Sequence, residues 1–229
     1  MGFTIGGILG ILDKPSGPRR RGRSSVATTV AEYTGLWGWD VVPGARAVRR
    51  SGAGASRGEC SCGQPSCTTP GAHPLAFARA VPAGTAWDDA VAAWAEVPGA
   101  AVLLPVGRTF DVLEVAERVG RRALVRLERM GLPVGPVAVT PHGRTQFFVA
   151  PGAAGELPGL LYRMGWDGAD LDLRCLGPGD HLTAPPSDLG GMGPVRWLRP
   201  PALDTAACPP EARLLLGTLA YVCQRSAAA

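Results

Sequence analysis

The sequence predicts an α+β (mixed α/β) fold, and three observations carry that expectation. Stretches with apolar residues spaced three or four apart alternate with short runs rich in β-branched residues. A hydrophobic fraction of 46% provides for a core, while 18% charged residues is low for a globular chain. No repeat of fixed period is visible, and helices and strands interleaved this way pack as layers around one core. At 229 residues the chain suits one domain, or one domain with a tail.

Residues 1–25 read as a disordered basic leader, with Gly, Pro, Ser and the arginine run from Arg19 to Arg23. A helix is expected over 25–37, because Val26, Val30, Tyr33 and Trp37 fall on one face. A short strand over 39–44 follows, ended by the turn at Pro43 and Gly44. Residues 45–82 look loop-like and hold a cysteine cluster. A helix over 87–97 would turn Val91, Trp94 and Ala95 inward. Two strand-like runs, 100–105 and 109–115, are separated by Gly107. Residues 117–130 form an amphipathic helix with Val119, Ala123, Leu127 and Met130 as its apolar stripe, and Arg122, Arg126 and Arg129 on other faces. Glu117 stands four residues before Arg121, the favourable order for an ion pair. Further strands are expected at 137–140, 145–149, 170–174, 181–184 and 195–198. Pro209 and Pro210 introduce a last helix over 211–223. The expected organisation is a leader (1–25), a main domain (26–204) that contains a Cys/His loop (58–74), and a C-terminal helix with tail (205–229).

Charge is distributed unevenly. Residues 1–58 hold nine basic against three acidic residues, giving +6, and residues 59–229 hold fourteen against sixteen, giving −2. A basic leader holds phosphates by counterion release or is a solvated tail; composition does not choose. Arginine supplies 22 of the 23 basic residues, a bias that coding composition explains as easily as adaptation. The apolar run from Phe3 to Leu12 is followed by its charges instead of preceded by them, so it does not read as a secretory signal. No uninterrupted apolar stretch approaches the length of a membrane span. The expected location is therefore cytoplasmic, where clustered thiols suggest metal more than disulfides.

Cys60, Cys62, Cys67 and His73 place three thiolates and an imidazole in a Gly/Pro-rich loop. Structural zinc takes four S/N ligands in a tetrahedron, and a loop this poor in apolar residues would owe its order to the ion. The alternative is a mobile loop with free thiols, since the Cys60–Cys62 spacing is tighter than the usual pair. Cys175, Cys208 and Cys223 sit among apolar neighbours and read as buried hydrophobes.

Four ordered stretches then resemble the bifunctional DNA primase/polymerase N-terminal domain, of the archaeo-eukaryotic primase type. The first is Pro70-Gly71-Ala72-His73-Pro74, where such domains often read Gly-Lys-His-Pro. The second runs from Phe110 to Ala116, where the family has a strand with an Asp-hydrophobic-Asp pair. The third runs from Thr140 to Phe148 and is similar to the family's Thr-Pro-Ser-Gly-Gly-x-His strand. The fourth is Asp172-Leu173-Arg174, followed by Ala184-Pro185-Pro186-Ser187. The resemblance covers roughly residues 30–200 and rests on the order and spacing of the four pieces together. It implies a central mixed or antiparallel sheet flanked by helices, with a zinc-knuckle-like loop.

The resemblance also implies a chemistry: nucleotidyl transfer on a DNA or RNA template with nucleoside triphosphates, using two Mg²⁺ or Mn²⁺ ions that clamp the reacting oxygens. Residues two apart on a strand share a face, so an acid-x-acid pair serves one metal site. Here Glu114 takes the first acid position and Ala116 the second, where it ligates nothing. Asp111 is three residues from Glu114 and points to the opposite face. Gln146 replaces the family histidine that meets the nucleotide phosphates, while the third acid, Asp172, is kept. Glu114 and Asp172 are thus the expected catalytic acids, and Gln146, Arg144 and Arg174 the expected substrate contacts.

Asp170 either completes an acid set with Asp172 and Glu114 or enters a strand from a turn. His142 reads as a turn residue and His181 as a lone strand histidine, while Ser187 donates to substrate or caps its turn. Two functions follow as alternatives: a template-directed polymerase, or a non-catalytic relative that binds nucleic acid, nucleotide or a replication partner. A plain zinc-stabilised structural protein ranks behind both. The only lysine, Lys14, precedes Pro15, so no P-loop is expected within the chain.

Overall fold

Turn residues and periodicity divide the chain into six helices and ten strands, in a computed structural model that describes residues 26–48, 59–64 and 66–227. The basic leader expected over 1–25 lies outside the described residues. In chain order the elements are α1 (Val26–Gly35), β1 (Val42–Gly44), β2 (Ala47–Val48), β3 (Glu59–Cys60), α2 (Trp87–Ala95), β4 (Ala101–Pro105), β5 (Asp111–Ala116) and α3 (Glu117–Arg129). They continue as β6 (Val137–Val139), β7 (Arg144–Val149), α4 (Ala153–Arg163), β8 (Leu173–Leu176), β9 (His181–Thr183), β10 (Arg196–Arg199), α5 (Leu203–Ala206) and α6 (Ala212–Ala227). The mixed fold has a five-stranded sheet in the order β10-β6-β7-β5-β8, a three-stranded sheet β1-β4-β9 and a ribbon β2-β3. Every strand pairing is antiparallel.

Alternation along β5 explains the layers. Leu113 and Val115 point to the side where α3, α4 and α6 pack, and share a core with Leu127, Leu215, Leu216 and Leu219. Val112 points to the other side, joining Ala138, Phe148 and the residues of the small sheet and of α1 and α2. Trp39 fills the centre of this second core. Its ring stacks on Phe148 at 5.4 Å and meets Phe110 edge-on at 5.4 Å, and its Nε1–H donates to the Ala206 carbonyl of α5 at 2.9 Å. Each such fully buried side chain contributes about 1.5–3 kcal/mol of transfer free energy.

Helix α3 buries Val119, Ala123 and Leu127 as its periodicity predicts, and the Glu117–Arg121 ion pair forms at 2.7 Å. Met130, expected on the same stripe, is instead 50% exposed, because it caps the helix one residue beyond its last turn. Gly120 and Leu124 complete the buried face. A Cβ at Gly120 would come within 2.3 Å of Thr145, so a glycine is what lets α3 lie this close on β7.

Three further expectations are corrected. Ala95 faces solvent, and Ala90, four residues before Trp94, takes the buried position on α2. Strand β8 begins at Leu173, which leaves Asp170 and Asp172 in the preceding loop. Cys208 is exposed, while Cys223 is buried and Cys175 partly so. Helix α4 was not expected at all; Pro158 inside it and glycines at 152, 155 and 159 hide its period.

Candidate functional site

The register of the five-stranded sheet assembles the site. Glu114 on β5 lies opposite Gln146 on β7 and opposite Arg174 on β8, and Ala116 lies opposite Arg144. All share the face that carries Val112 and Phe148, just beyond the Trp39 core. Asp172 joins them from the loop before β8. The five residues singled out on β5, β7 and around β8 are therefore brought together in one cluster.

Glu114 is only 2% exposed, and its carboxylate is fully engaged. Oε1 accepts from Arg144 Nε at 3.1 Å and from Arg174 Nε at 2.8 Å, with Arg174 Nη2 at 2.7 Å from the same oxygen. Oε2 accepts from Gln146 Nε2 at 2.9 Å. Arg144 then reaches onward, its Nη1 lying 2.7 Å from both carboxylate oxygens of Asp172. This bonding holds the Asp172 carboxyl below the usual carboxylate range, against a smaller opposing effect of burial, and pushes the Arg144 guanidinium further up. Two acids and two arginines cancel in charge. Gln146 Oε1 is buried with no donor among the described residues, a buried acceptor left unpaired beside the Glu114 carboxylate.

A pair of divalent cations does not fit these residues as they stand. Ala116 offers only a methyl group, both Glu114 oxygens are taken, and Arg144 binds both oxygens of Asp172. Hard cations need free carboxylate oxygens, which here requires a guanidinium to leave.

The remaining candidates have structural places. Asp111 points away from Glu114; its Oδ2 accepts from Ala154 N–H at 2.9 Å and anchors the first turn of α4. Asp170 is exposed and off the strand, so the two-apart rule does not join it to Asp172. His142 is exposed in the β6–β7 turn, and His181 is exposed at the start of β9 in the other sheet. Ser187 Oγ accepts from Val102 N–H at 2.7 Å and ties β4 to the turn beside Pro186.

A second cluster is built at the β2–β3 ribbon. One ligand atom from each of Cys60, Cys62, Cys67 and His73 lies within 4.8 Å of the others. His73 Nε2 is 3.2 Å from Cys60 Sγ and 3.4 Å from Cys67 Sγ, while its Nδ1 is 2.9 Å from the Pro74 carbonyl. That outer contact fixes Nδ1 as the protonated nitrogen and leaves Nε2 free to ligate. Burial pushes the Cys60 thiol up, but N–H groups of Cys62 and Gly71 and the His73 ring outweigh it and bring it down to about 6. Gly71, at φ +71°, passes so close to Ala47 that a Cβ would lie 2.5 Å from its nitrogen. The donor set and its spread fit a tetrahedral zinc ion. The cluster docks on β1 through Ala45 N–H to the His73 carbonyl and Leu75 N–H to the Pro43 carbonyl.

Arginine saturation of Glu114 was missed from sequence, because it depends on pairing between strands far apart in the chain. Among the described residues, no helix is long and apolar enough to cross a membrane. No curated protein and no solved structure matches the chain. The family model for the bifunctional DNA primase/polymerase N-terminal domain matches residues 30–212, which hold both clusters, and the chain belongs to that family.

Proposed function

We propose that this member of a DNA replication family uses the Glu114–Arg144–Arg174 cluster to bind nucleotide or nucleic-acid phosphates without two-metal nucleotidyl transfer. The observation that carries the reading is the commitment of the Glu114 carboxylate to Arg144, Arg174 and Gln146. Arg174 is 64% exposed and spends only Nε and Nη2 on Glu114, so its other N–H groups face solvent and suit a phosphate. Glu114 and Asp172, the catalytic acids implied by the family, serve here to hold the arginines in place. Zinc at Cys60, Cys62, Cys67 and His73 is proposed as structural. A cytoplasmic location, a DNA or RNA template and replication-protein partners belong to the same proposal, as does the division into leader, main domain (26–204) and C-terminal helix.

The test is primer extension and de novo synthesis with Mg²⁺ or Mn²⁺, alongside triphosphate binding in the presence of a chelator. The expected result is triphosphate binding that survives chelation and no template-dependent product. Product that disappears in Asp172→Ala would overturn the proposal in favour of an active polymerase. One observation favours that second reading: a single guanidinium, Arg144, spans Glu114 and Asp172, so its departure would free the Asp172 carboxylate and leave Glu114 held by Arg174 and Gln146 alone.

A further inference from the structure

On the far side of the five-stranded sheet, α3 and α6 pack together and leave a groove of about 540 Å³ between their outer faces. Arg122, Arg126 and Arg129 line it from α3, and Arg225 and Tyr221 line it from α6. The Arg126 guanidinium lies 4.8 Å from the centroid of the Tyr221 ring. None of the four arginines has a carboxylate partner among the described residues. The acids nearby in sequence are committed elsewhere, Glu117 to Arg121, Glu128 to Arg199 and Glu211 to Arg213. The Glu114 side chain lies on the other face of the sheet, and none of its cluster's residues lines the groove. Of that cluster, Asp172 meets α6 through its carbonyl, which accepts from Cys223 Sγ at 3.7 Å.

Helix-end electrostatics favour an arginine in the last turn of each helix. They do not account for four guanidinium groups converging on one groove, where like charges repel unless an anion lies between them. Arg122, Arg126 and Arg129 sit four and then three residues apart, so they rise about 6 and 4.5 Å along the helix. A row of regularly spaced positive charges with an exposed tyrosine beside it matches a flexible phosphodiester chain with stackable bases.

We propose that the α3–α6 groove is a second binding surface, for the phosphate backbone of single-stranded nucleic acid, engaged by Arg122, Arg126, Arg129 and Arg225. It shares no residue with the Glu114 cluster and is independent of whether that cluster catalyses. An acidic peptide would meet the charges but would not exploit the tyrosine face in the same way.

The experiment measures binding of the full chain to a fluorescent oligothymidylate of about 16 nucleotides across a salt series. Each phosphate contact on a single strand adds about 0.7 to the slope of log K against log salt. Replacing Arg122, Arg126 and Arg129 together by Gln is expected to flatten that slope by about 2 and to weaken binding on the order of tenfold at low salt. Exposed substitutions of this kind change stability little, and a melting curve checks it. Should that variant not fold, Arg225→Gln alone is expected to flatten the slope by about 0.7, and the corresponding Lys variant of the α3 residues to keep the full slope. An unaltered slope in the Gln variants overturns the proposal. So does polyglutamate competing as well as the oligonucleotide, which would assign the groove to an acidic protein, or duplex of equal length binding as tightly as the single strand.

Discussion

Replacing Glu114 by Gln separates an arginine-clamped site from a metal-poised one by the sign of a stability change. In a two-metal site without its ions, clustered carboxylates repel, and removing one commonly stabilises the protein. Here the carboxylate is 2% exposed and accepts three close guanidinium contacts and one amide bond. A charge-assisted bond is worth about 1 kcal/mol more than a neutral one, so losing the charge removes about 3 kcal/mol. Arg174 and Arg144 are 64% and 25% exposed and regain water, which returns part of it. The introduced amide also sets a donor against Gln146 Nε2 unless Gln146 turns its unpartnered Oε1 toward it. The net expectation is a loss of about 2 kcal/mol, or a melting temperature lower by about 4–8 °C for a chain of this size. Thermal and urea unfolding followed by circular dichroism measure it. An unchanged or raised melting temperature would refute the clamp and return the site to metal chemistry.

Three other outcomes are expected. Asp172→Asn should narrow the stability gap to wild type as the medium is acidified. The Asp172 carboxyl is depressed by Arg144 in the folded chain, so its contribution is full above the unfolded value near 4 and fades as pH falls through the lower folded value; a gap that widens in acid contradicts this. Cys62→Ser combined with Cys67→Ser should abolish bound zinc as measured by elemental analysis, and zinc retained at one equivalent removes the knuckle. Asp111→Ala should cost about 1–2 kcal/mol through the loss of its bond to Ala154 N–H, with faster amide exchange confined to α4; uniform exchange across the chain would show that Asp111 does not act on that helix.

Much of the fold was legible because local pattern and tertiary burial agree. Val119, Ala123 and Leu127 on α3, and the alternation of Leu113, Glu114 and Val115 on β5, are readable from spacing alone. The opposite facing of Asp111 and Glu114 was readable in the same way. Helix α4 was not, because Pro158 and its glycines remove the propensity signal while Asp111, far away in sequence, supplies the anchor. The start of β8 was misjudged because Asp170 and Leu171 continue an alternation that the chain abandons for a turn, in which Leu173 N–H bonds the Leu171 carbonyl. At the site, the identities of Glu114, Arg144, Gln146, Asp172 and Arg174 were readable. Their mutual bonding was not, since register between strands 30 to 60 residues apart leaves no local trace.

That register makes the departures from the family pattern a single arrangement. Position 116 faces position 144 across the β5–β7 pair, and position 114 faces both 146 and 174. An acid at 116 would stand beside Arg144 and compete for it; with Ala116 there, Arg144 is free to span from Glu114 to Asp172. Once Glu114 is bound by two guanidinium groups, a histidine at 146 would bring a third positive charge to the same carboxylate whenever it protonates. Gln146 donates one neutral bond instead and keeps an acceptor spare. Restoring an acid at 116 alone is therefore not expected to restore a two-metal site, because Arg144 would be drawn to the new carboxylate. Ala116→Asp is expected to become metal-responsive only when Arg144 is also replaced by a residue without charge. Isothermal titration with Mn²⁺ on the single and double variants tests this, and Mn²⁺ binding by Ala116→Asp alone would show that the arginine does not guard the site.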